Sequence, residues 1–470
     1  MMMPKPFETM GTKRPLLKRP RCFLQVLLSG AALGLIGCTL STSILAATLD
    51  ETLRAAMLVD KALRSAEANK EAARENIGIA RSRLLPQLNF QGYKQKLNQT
   101  TTQNTSLGPQ SNTFQGESYT YSLSLRQSLI RPRDLAGYAM GQQQALYGEL
   151  KYESAKSDLW NRAASAWLDV LAAQASKDLY ENAIKTISES ATQERKRFEK
   201  GDGTKDSMIE AQAQLTQAKA MLADAQLSLQ AKLLSYELLS GVKQSNWTQQ
   251  VLPDESKVRI DADLKDLILQ RIKLQAPEIL AAKAAEQVNA LRVSQSMYDH
   301  FPTLDLVASA NRAQNDTTNT LGYQYQNQQV GVQLNVPLFA GGGLEATRRQ
   351  AVYSYDASVA DRESLEYRVE IQFENDWATQ AGYYERTLAA RGLMLSAQEQ
   401  KKAALMGVNM GLRTWSDVSN AELLLARRAS DLIGIQTNLY KIQSRILSLL
   451  PSNDEAWQAW VNVLDLASQK

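Results

Sequence analysis

The residue types that carry most enzyme chemistry are scarce in this sequence of 470 residues. His300 is its single histidine, and its two cysteines, Cys22 and Cys38, both lie in the first 47 residues. Zinc sites and histidine-based catalytic triads need more of these side chains than the rest of the chain contains. The acidic residues are scattered over helical segments at ion-pair spacing, so a catalytic pair of carboxylates has no specific support. We therefore expect no enzyme activity, no cofactor and no metal site.

Two other groupings of residues could do chemistry, but each has a simpler structural explanation. Gly341-Gly342-Gly343 lacks the lysine of a phosphate-binding loop and follows a strand-like segment, so we expect a hinge between a strand and a helix. Arg413 and Asp417 are four residues apart at the start of a helical segment. A solvated ion pair at this spacing contributes only about 0.3 kcal/mol, so the spacing alone does not indicate a binding site.

The first 47 residues have the three parts of a secretory signal peptide. Six basic residues and one acid come first, the apolar run Phe23–Ile36 follows, and small residues lead up to Ala46-Ala47. Cleavage after Ala46 or Ala47 is one prediction. The other is cleavage before Cys38 and acylation of this cysteine, because Leu35-Ile36-Gly37-Cys38 resembles a bacterial lipobox. The segment carries a net charge of +5 and the whole sequence carries +4, so the exported chain carries −1. It therefore has no polybasic surface for nucleic acid.

Two strand pairs are predicted from apolar side chains at every second position, with hydroxyl and amide side chains between them. The first pair spans 87–130, with a long polar loop expected from Gln99 to Gly116. The second spans 303–339, with a polar connection between Ala313 and Tyr325. An amphipathic hairpin is marginal in water by itself, so the apolar faces require other copies or lipid. The side chains expected to face lipid include Tyr119, Tyr121, Leu123, Val332 and Leu334.

The rest of the chain is predicted to form helices, some of unusual length. The pattern from Leu49 to Ser82 is helical, and the run from Arg133 to about Lys200 would be about 100 Å long at 1.5 Å per residue. Glycine turns at Gly201 and Gly411 each precede a helix with apolar residues in heptads. Heptads indicate coiled-coil packing between neighbouring helices.

The chain contains two copies of one pattern: helix, strand pair, very long helix, turn and heptad helix. An offset of 210 residues carries Gly201 and Thr204 onto Gly411 and Thr414, and it also aligns four leucines of the two heptad helices. Between the copies lies a segment with a strand-like stretch, Lys257–Ile260. The predicted organisation is a signal peptide at 1–47, a first repeat at 48–240, an insertion at 241–276, a second repeat at 277–450 and a C-terminal segment at 451–470.

This layout admits two functional interpretations. An exported chain without a spanning apolar helix can enter a bilayer only through a closed β-barrel, because unpaired backbone groups cannot face hydrocarbon. Four strands are too few to close a barrel, so closure would need several chains, and the long helices would extend the tube away from the membrane. The alternative is an exported coiled-coil scaffold or adhesin without a pore. That alternative explains the heptads but not the two matched strand pairs.

The chain from Leu49 to Leu450 resembles the TolC family of outer-membrane channels. The resemblance implies a mainly α fold, in which long antiparallel helices form a periplasmic α-barrel and each chain adds four strands to a trimeric, twelve-stranded transmembrane β-barrel. The insertion and the C-terminal segment would form an equatorial girdle. The matching segments are LDETLRAA at Leu49, ARSRLLPQLNFQG at Ala80, FPTLDLVAS at Phe301, PLFAGGG at Pro337 and GLRTWSDVSNAELLLARR at Gly411.

The same resemblance implies a function and its partners. Proteins of this family serve as the exit duct for type I protein secretion or for drug efflux. A homotrimer in outer-membrane lipid would be engaged by a periplasmic adaptor, the membrane fusion protein, and by an inner-membrane ABC transporter or proton-driven pump. The sequence leaves open whether this chain serves secretion or efflux.

The resemblance finally implies a gate at the periplasmic tip, where an arginine and several acids hold the helices together. The family's arginine and two acids fall on Arg413, Asp417 and Asn420, so an amide replaces the second acid. The acid of the first repeat falls on Ser207, beside Asp206. We therefore expect a gate with a weaker negative ring and partly different contacts.

Overall fold

The computed structural model of the protein describes residues 48–243, 252, 262–317 and 320–468. They belong to one compact unit, Ile44–Lys470. The predicted signal peptide, with Cys38, and the strand-like stretch Lys257–Ile260 lie outside the described residues.

Two series of helices and strands follow each other within the described part of the chain. The first series consists of α1 (Leu49–Val59), α2 (Lys61–Ser82), β1 (Gln87–Thr105), β2 (Gly108–Ile130), α3 (Pro132–Glu199) and α4 (Lys205–Ser240). A 3₁₀ turn (Ala262–Leu264) then leads into α5 (Lys265–Gln275). The second series consists of α6 (Pro277–Tyr298), β3 (Thr303–Thr317), β4 (Thr320–Asn335), α7 (Gly343–Asn409), α8 (Trp415–Leu447) and α9 (Glu455–Ser468).

The four strands form one antiparallel sheet in the order β1-β2-β3-β4. The predicted loop from Gln99 to Gly116 was wrong, because β1 and β2 stay paired up to the turn between Thr105 and Gly108. Hydroxyl side chains hydrogen-bond across this part of the pair, for example Thr102 to Ser111 at 2.9 Å. Threonine fits the pleated surface of a strand, so a composition typical of loops concealed a ladder.

The predicted polar connection between Ala313 and Tyr325 was also too long. β3 continues to Thr317 and β4 begins at Thr320, although their register shifts between Asn315 and Thr317. The side-chain amide of Gln324 donates a hydrogen bond to Gln314 across the paired strands here. The physical reason is therefore the same as in the first hairpin.

The helix predicted from Leu49 to Ser82 is divided in two at Asp60. Its carboxylate accepts a hydrogen bond from the Leu63 N–H at 2.6 Å and so caps the start of α2. Arg162 of α3 pairs with the same carboxylate at 3.1 Å. Burial raises the pKa of Asp60, but the hydrogen bonds from Arg162 and the Leu63 N–H outweigh it and hold the pKa below its usual value.

The longest helix, α3, is the central element of the helical part. Its first half packs against α2 and α6, and its second half packs against α4 and α8, with α7 beyond them. At 68 residues, α3 is about 100 Å long. The approach to α2 is close, since a Cβ built on Gly148 would lie 2.4 Å from the Cβ of Ala73. Glycine is therefore required at this crossing.

The main hydrophobic core lies where α9 packs against α1, the middle of α3 and the end of α8. Trp167 and Trp457 are fully buried there, and the rings of Trp160 and Trp457 meet edge to face at 5.4 Å. Asp465 of α9 accepts hydrogen bonds from the first two backbone N–H groups of α1, at 2.6 and 3.2 Å. The C-terminal helix thus holds the start of the described chain in place.

Candidate functional site

The sheet has one apolar face and one polar face. In antiparallel strands, directly opposed residues share a face and successive residues alternate. The register opposes Leu123 to Ala310 and Leu306 to Val332, which assigns the apolar residues of β2, β3 and β4 to a single face. All five side chains expected to face lipid lie on it: Tyr119, Tyr121, Leu123, Val332 and Leu334. Contact with lipid itself stays a prediction.

Aromatic side chains cover part of this apolar face. The Tyr121 ring stacks on Phe90 at 6.4 Å and lies 5.5 Å from the Tyr119 ring. A Cβ on Gly92 would come within 3.0 Å of the Tyr121 ring, so the ring lies over the glycine. Except for the partly exposed Tyr119, the predicted lipid-facing side chains are exposed in the single chain. They form an apolar surface that a single chain in water leaves uncovered.

The opposite face of the sheet carries mainly hydroxyl and amide side chains. Ser122 donates a hydrogen bond to Asn311 at 2.6 Å across β2 and β3. At the end of the sheet next to the helices, the carboxylate of Asp305 accepts hydrogen bonds from Arg126 of β2 and from Arg131, the residue before α3, at 2.5 to 3.1 Å. The Asp305 side chain is only 2% exposed. It therefore joins both hairpins to the longest helix.

The importance of Asp305 was missed at the sequence level. In the sequence it is one of several polar residues that alternate with apolar residues along β3. The signal that could have identified it is its charge, because the other described residues on the polar face of β3 are uncharged. A lone acid on such a face needs a cation, and Arg126 is the charged residue on the same face of β2.

The far ends of the long helices form the second candidate region, called the tip: the α3–α4 turn, the α7–α8 turn and the first two turns of α4 and α8. Gly201 and Gly411 have φ angles of 83° and 72°, which suit glycine and end α3 and α7. Thr204 and Thr414 then cap α4 and α8 through their side-chain oxygens. The two turns have the same construction.

The predicted gate residues are all at the tip, but they make different contacts from those of the family pattern. Asp417 accepts hydrogen bonds from the Thr414 N–H and hydroxyl, at 2.8 and 2.9 Å, and so caps its own helix. The Ser207 N–H donates to the Thr204 side chain in the equivalent cap. Among the described residues, neither Arg413 nor Asp206 has an ion-pair partner. The aliphatic part of the Arg413 side chain packs against Gly407 in the last turn of α7.

Asn420 is the predicted gate residue that connects the two repeats. Its Nδ2 donates a hydrogen bond to Oε1 of Glu210 on α4, at 3.0 Å. One turn further along α4, Gln214 hydrogen-bonds Ser416 at 3.3 Å. The tips of α4 and α8 are therefore held together by polar contacts between side chains.

Glu194 makes a contact that sequence reasoning missed. This residue of α3 is 1% exposed, and its Oε1 accepts a hydrogen bond from the Trp415 N–H at 2.6 Å. The Arg197 guanidinium lies 3.6 Å from the same oxygen. The carboxylate thus caps the N-terminus of α8 from a neighbouring helix, where the helix dipole favours negative charge. Because the partners are 221 residues apart in sequence, no local pattern could reveal this cap.

Two features are absent from the described part of the chain: a cluster of metal ligands and a membrane-spanning helix. Side chains of His, Cys, Asp and Glu form no group of three within the described ranges that could hold a metal ion. No described helix has both the length and the apolar character of a membrane-spanning helix.

The two-faced sheet and the long helices that continue from it define a channel-forming membrane protein. The chain belongs to the outer membrane efflux protein family, which it matches over residues 52–242 and 268–451. It is an outer-membrane protein that extends into the periplasm, and proteins of this family are channels, not enzymes. The resemblance to the TolC family and the mainly helical fold with α-barrel and β-barrel parts are thereby confirmed.

Individual proteins in this family are similar over most of their length. Alkaline protease secretion protein AprF of Pseudomonas aeruginosa is 28% identical over 79% of this chain and 78% of its own length. Outer membrane protein TolC of Vibrio cholerae is 26% identical over 83% of this chain and 86% of its own. Among solved structures, the CmeC outer membrane channel of Campylobacter jejuni has a TM-score of 0.70 at 15% identity, covering 89% of this chain and 90% of CmeC.

Proposed function

We propose that three copies of this chain assemble into one channel, with a twelve-stranded β-barrel in the outer membrane and an α-barrel in the periplasm. The observation that carries the proposal is the state of the sheet edges. Within the described chain, β1 pairs only with β2 and β4 pairs only with β3, so each has one side free. A barrel in lipid must close, and pairing β1 of one copy with β4 of the next closes it.

The helices support the same assembly. The helices at the sides of the chain, α4 and α7, expose large apolar side chains, among them Leu234 and Leu238 on α4 and Tyr353 and Tyr367 on α7. Helices of neighbouring copies would cover these side chains. The polar face of the sheet would then line the barrel, and the apolar face would contact lipid through Tyr119, Tyr121, Leu123, Val332 and Leu334.

The channel would act as the exit duct of a tripartite system with a periplasmic adaptor and an inner-membrane transporter. Protein secretion through an ABC transporter is the better supported role, because similar proteins include AprF and the proteases secretion protein PrtF of Dickeya chrysanthemi. Efflux of small molecules by a proton-driven pump is the second candidate, supported by outer membrane efflux protein BepC of Brucella suis, which is 23% identical. Acylation of Cys38 would add a lipid anchor to the same channel.

The tip would be the gate of this channel. Arg413, Asp417 and Asn420, with Asp206 and Ser207 of the first repeat, would surround its periplasmic entrance. Asn420 would restrain α8 through Glu210, and Asp417 would keep the first turn of α8 intact. Engagement of the adaptor and transporter would separate these helices.

Purified protein in detergent and in planar lipid bilayers provides the test. A trimer that resists SDS but dissociates on heating, together with discrete conductance steps, is the expected result. A monomer in detergent that leaves bilayers without conductance would overturn the proposal and favour an exported scaffold or adhesin. Expression in a strain that lacks its own channel, followed by assays of protease secretion and drug susceptibility, separates the two transport roles.

A further inference from the structure

The apolar face of the sheet ends in a band of charged and amide side chains, on the side away from the helices. The strand register places Tyr121 opposite Arg312, and Tyr119 opposite both Lys94 and Gln314. Opposed residues share a face, so these cations lie on the side of the sheet expected to face lipid. The side chains of this band, called the outer belt, are Lys94, Lys96, Arg312, Gln314, Gln324 and Gln326.

The outer belt carries more positive than negative charge. Glu117 lies between its two lysines, with Oε2 at 2.7 Å from Lys94 Nζ and Oε1 at 3.4 Å from Lys96 Nζ. Two ammonium groups thus share one carboxylate. Arg312 is exposed and has no ion-pair partner among the side chains that the structure describes. These four side chains together carry a net charge of +2 per chain.

The height of the outer belt relates it to the membrane. Arg312 is eight residues from Leu304, which corresponds to about 26 Å along a strand and about 20 Å along the barrel axis at the usual tilt. The apolar band of an outer-membrane barrel has a similar height and is bordered by aromatic residues. Tyr119 and Tyr121 border the apolar face of this sheet in the same way. A cation deep in the hydrocarbon is costly, whereas at this level it meets headgroups.

We propose that the outer belt binds the phosphates of lipid A, the phosphorylated glucosamine lipid of the outer leaflet. Lys96 and Arg312 supply charge-assisted hydrogen bonds to phosphate, and Arg312 offers a planar guanidinium that matches two phosphate oxygens. Gln324 donates to Gln314 at 2.9 Å, which orders a pair of amides beside the cations for the sugar hydroxyls. This inference rests on the proposed function, because it requires the sheet to be part of a barrel in the outer membrane.

The test compares lipid binding by the purified trimer and by a variant without the three cations. The variant is Lys94→Gln, Lys96→Gln and Arg312→Gln. Its control removes three exposed cations of α3 and α4 that lie outside the tip: Arg195→Gln, Lys196→Gln and Lys219→Gln. Native mass spectrometry in detergent measures the affinity for bisphosphorylated lipid A, for chemically dephosphorylated lipid A and for phosphatidylglycerol. Conductance in phosphatidylcholine bilayers is recorded for every protein.

The belt variant is expected to bind bisphosphorylated lipid A about 10- to 100-fold more weakly than wild type, since each cation near a lipid surface contributes about 10-fold or less. The control variant should keep wild-type affinity, and dephosphorylated lipid A should bind both proteins equally weakly. Equal affinity of wild type and belt variant for bisphosphorylated lipid A would overturn the proposal. The proposal would also be overturned if phosphatidylglycerol bound wild type as tightly as bisphosphorylated lipid A does and lost as much affinity in the belt variant. If wild type gave no conductance in the bilayers, the proposed channel would be refuted instead of the lipid site. The two failures are therefore distinguishable.

Discussion

Replacement of Glu194 by alanine is expected to release the start of α8 from α3 at the tip. The buried carboxylate accepts the Trp415 N–H at 2.6 Å and has Arg197 beside it. Alanine removes the acceptor and leaves the partly buried Trp415 N–H without this hydrogen bond. Glutamine retains an oxygen that can accept the same hydrogen bond, so Glu194→Gln should have a smaller effect.

The magnitude follows from the type of contact. A hydrogen bond to a charged group contributes about 1.5 to 3 kcal/mol, which corresponds to about a 10- to 150-fold change in an equilibrium constant. Because the remaining contacts of α8 with α4 persist, we expect the tip to open more often without unfolding. Glu194→Ala should therefore raise the frequency of open-channel events by about that factor, and Glu194→Gln by less.

Cysteine labelling provides an assay that does not depend on conductance. Beyond the first 47 residues the chain contains no cysteine, so a single introduced thiol gives an unambiguous signal. Ser419 on α8 is fully buried, and its hydroxyl has no hydrogen-bond partner in the described part of the chain, so Ser419→Cys is a conservative reporter. A maleimide should modify this cysteine about 10- to 150-fold faster in the Glu194→Ala background.

Glu189→Ala is the matched control, because Glu189 lies on the same helix but is exposed. It should change neither the labelling rate nor the open frequency. If Glu194→Ala behaves like Glu189→Ala in both assays, the cap does not hold the tip and the reasoning from burial and distance fails. Thermal unfolding of each variant excludes a general loss of structure as the cause.

Three further predictions concern other parts of the chain. Gly148→Ala should destabilise the protein by about 1 to 3 kcal/mol in thermal unfolding, because its Cβ would overlap α2, whereas Gly382→Ala on an open helix surface should be neutral or stabilising. Asp60 has a lowered pKa in the folded protein, so its stabilising contribution is present above its unfolded pKa of about 4 and is lost as the pH falls through the folded pKa. Asp60→Asn should therefore flatten the pH dependence of the free energy of unfolding in that acid range. Its slope near pH 7 should stay unchanged. Asn420→Asp should place two carboxylates in contact and accelerate labelling of the tip, and Glu210→Gln in the same chain should restore the wild-type rate.

The periodic parts of the structure could be predicted from the sequence because each residue reports its own environment there. Alternation identified both faces of the sheet, and the heptads and glycine turns identified the long helices. The strand ends were missed because the segment around Thr100 and Thr102 has the composition of a loop. These residues are held in a strand by hydrogen bonds to side chains of the next strand. The break at Asp60 was missed because its cap depends on one carboxylate within an otherwise helical pattern. Composition and period do not contain this information.

The contacts at both candidate sites depend on differences between the two repeats. Glu210 and Asn420 are equivalent positions, 210 residues apart, and their side chains touch. Two identical acids there would repel each other, so an amide at one of them converts repulsion into a hydrogen bond. Glu194 likewise corresponds to the buried Ala404, and Asp305 corresponds to Asn89 at the offset of 216 that relates the proline turns at Pro86 and Pro302. The two repeats form similar halves of the structure, but these polar contacts between them are made by residues that differ between the copies. The tip and the contacts of Asp305 with Arg126 and Arg131 therefore depend on positions where the two repeats differ.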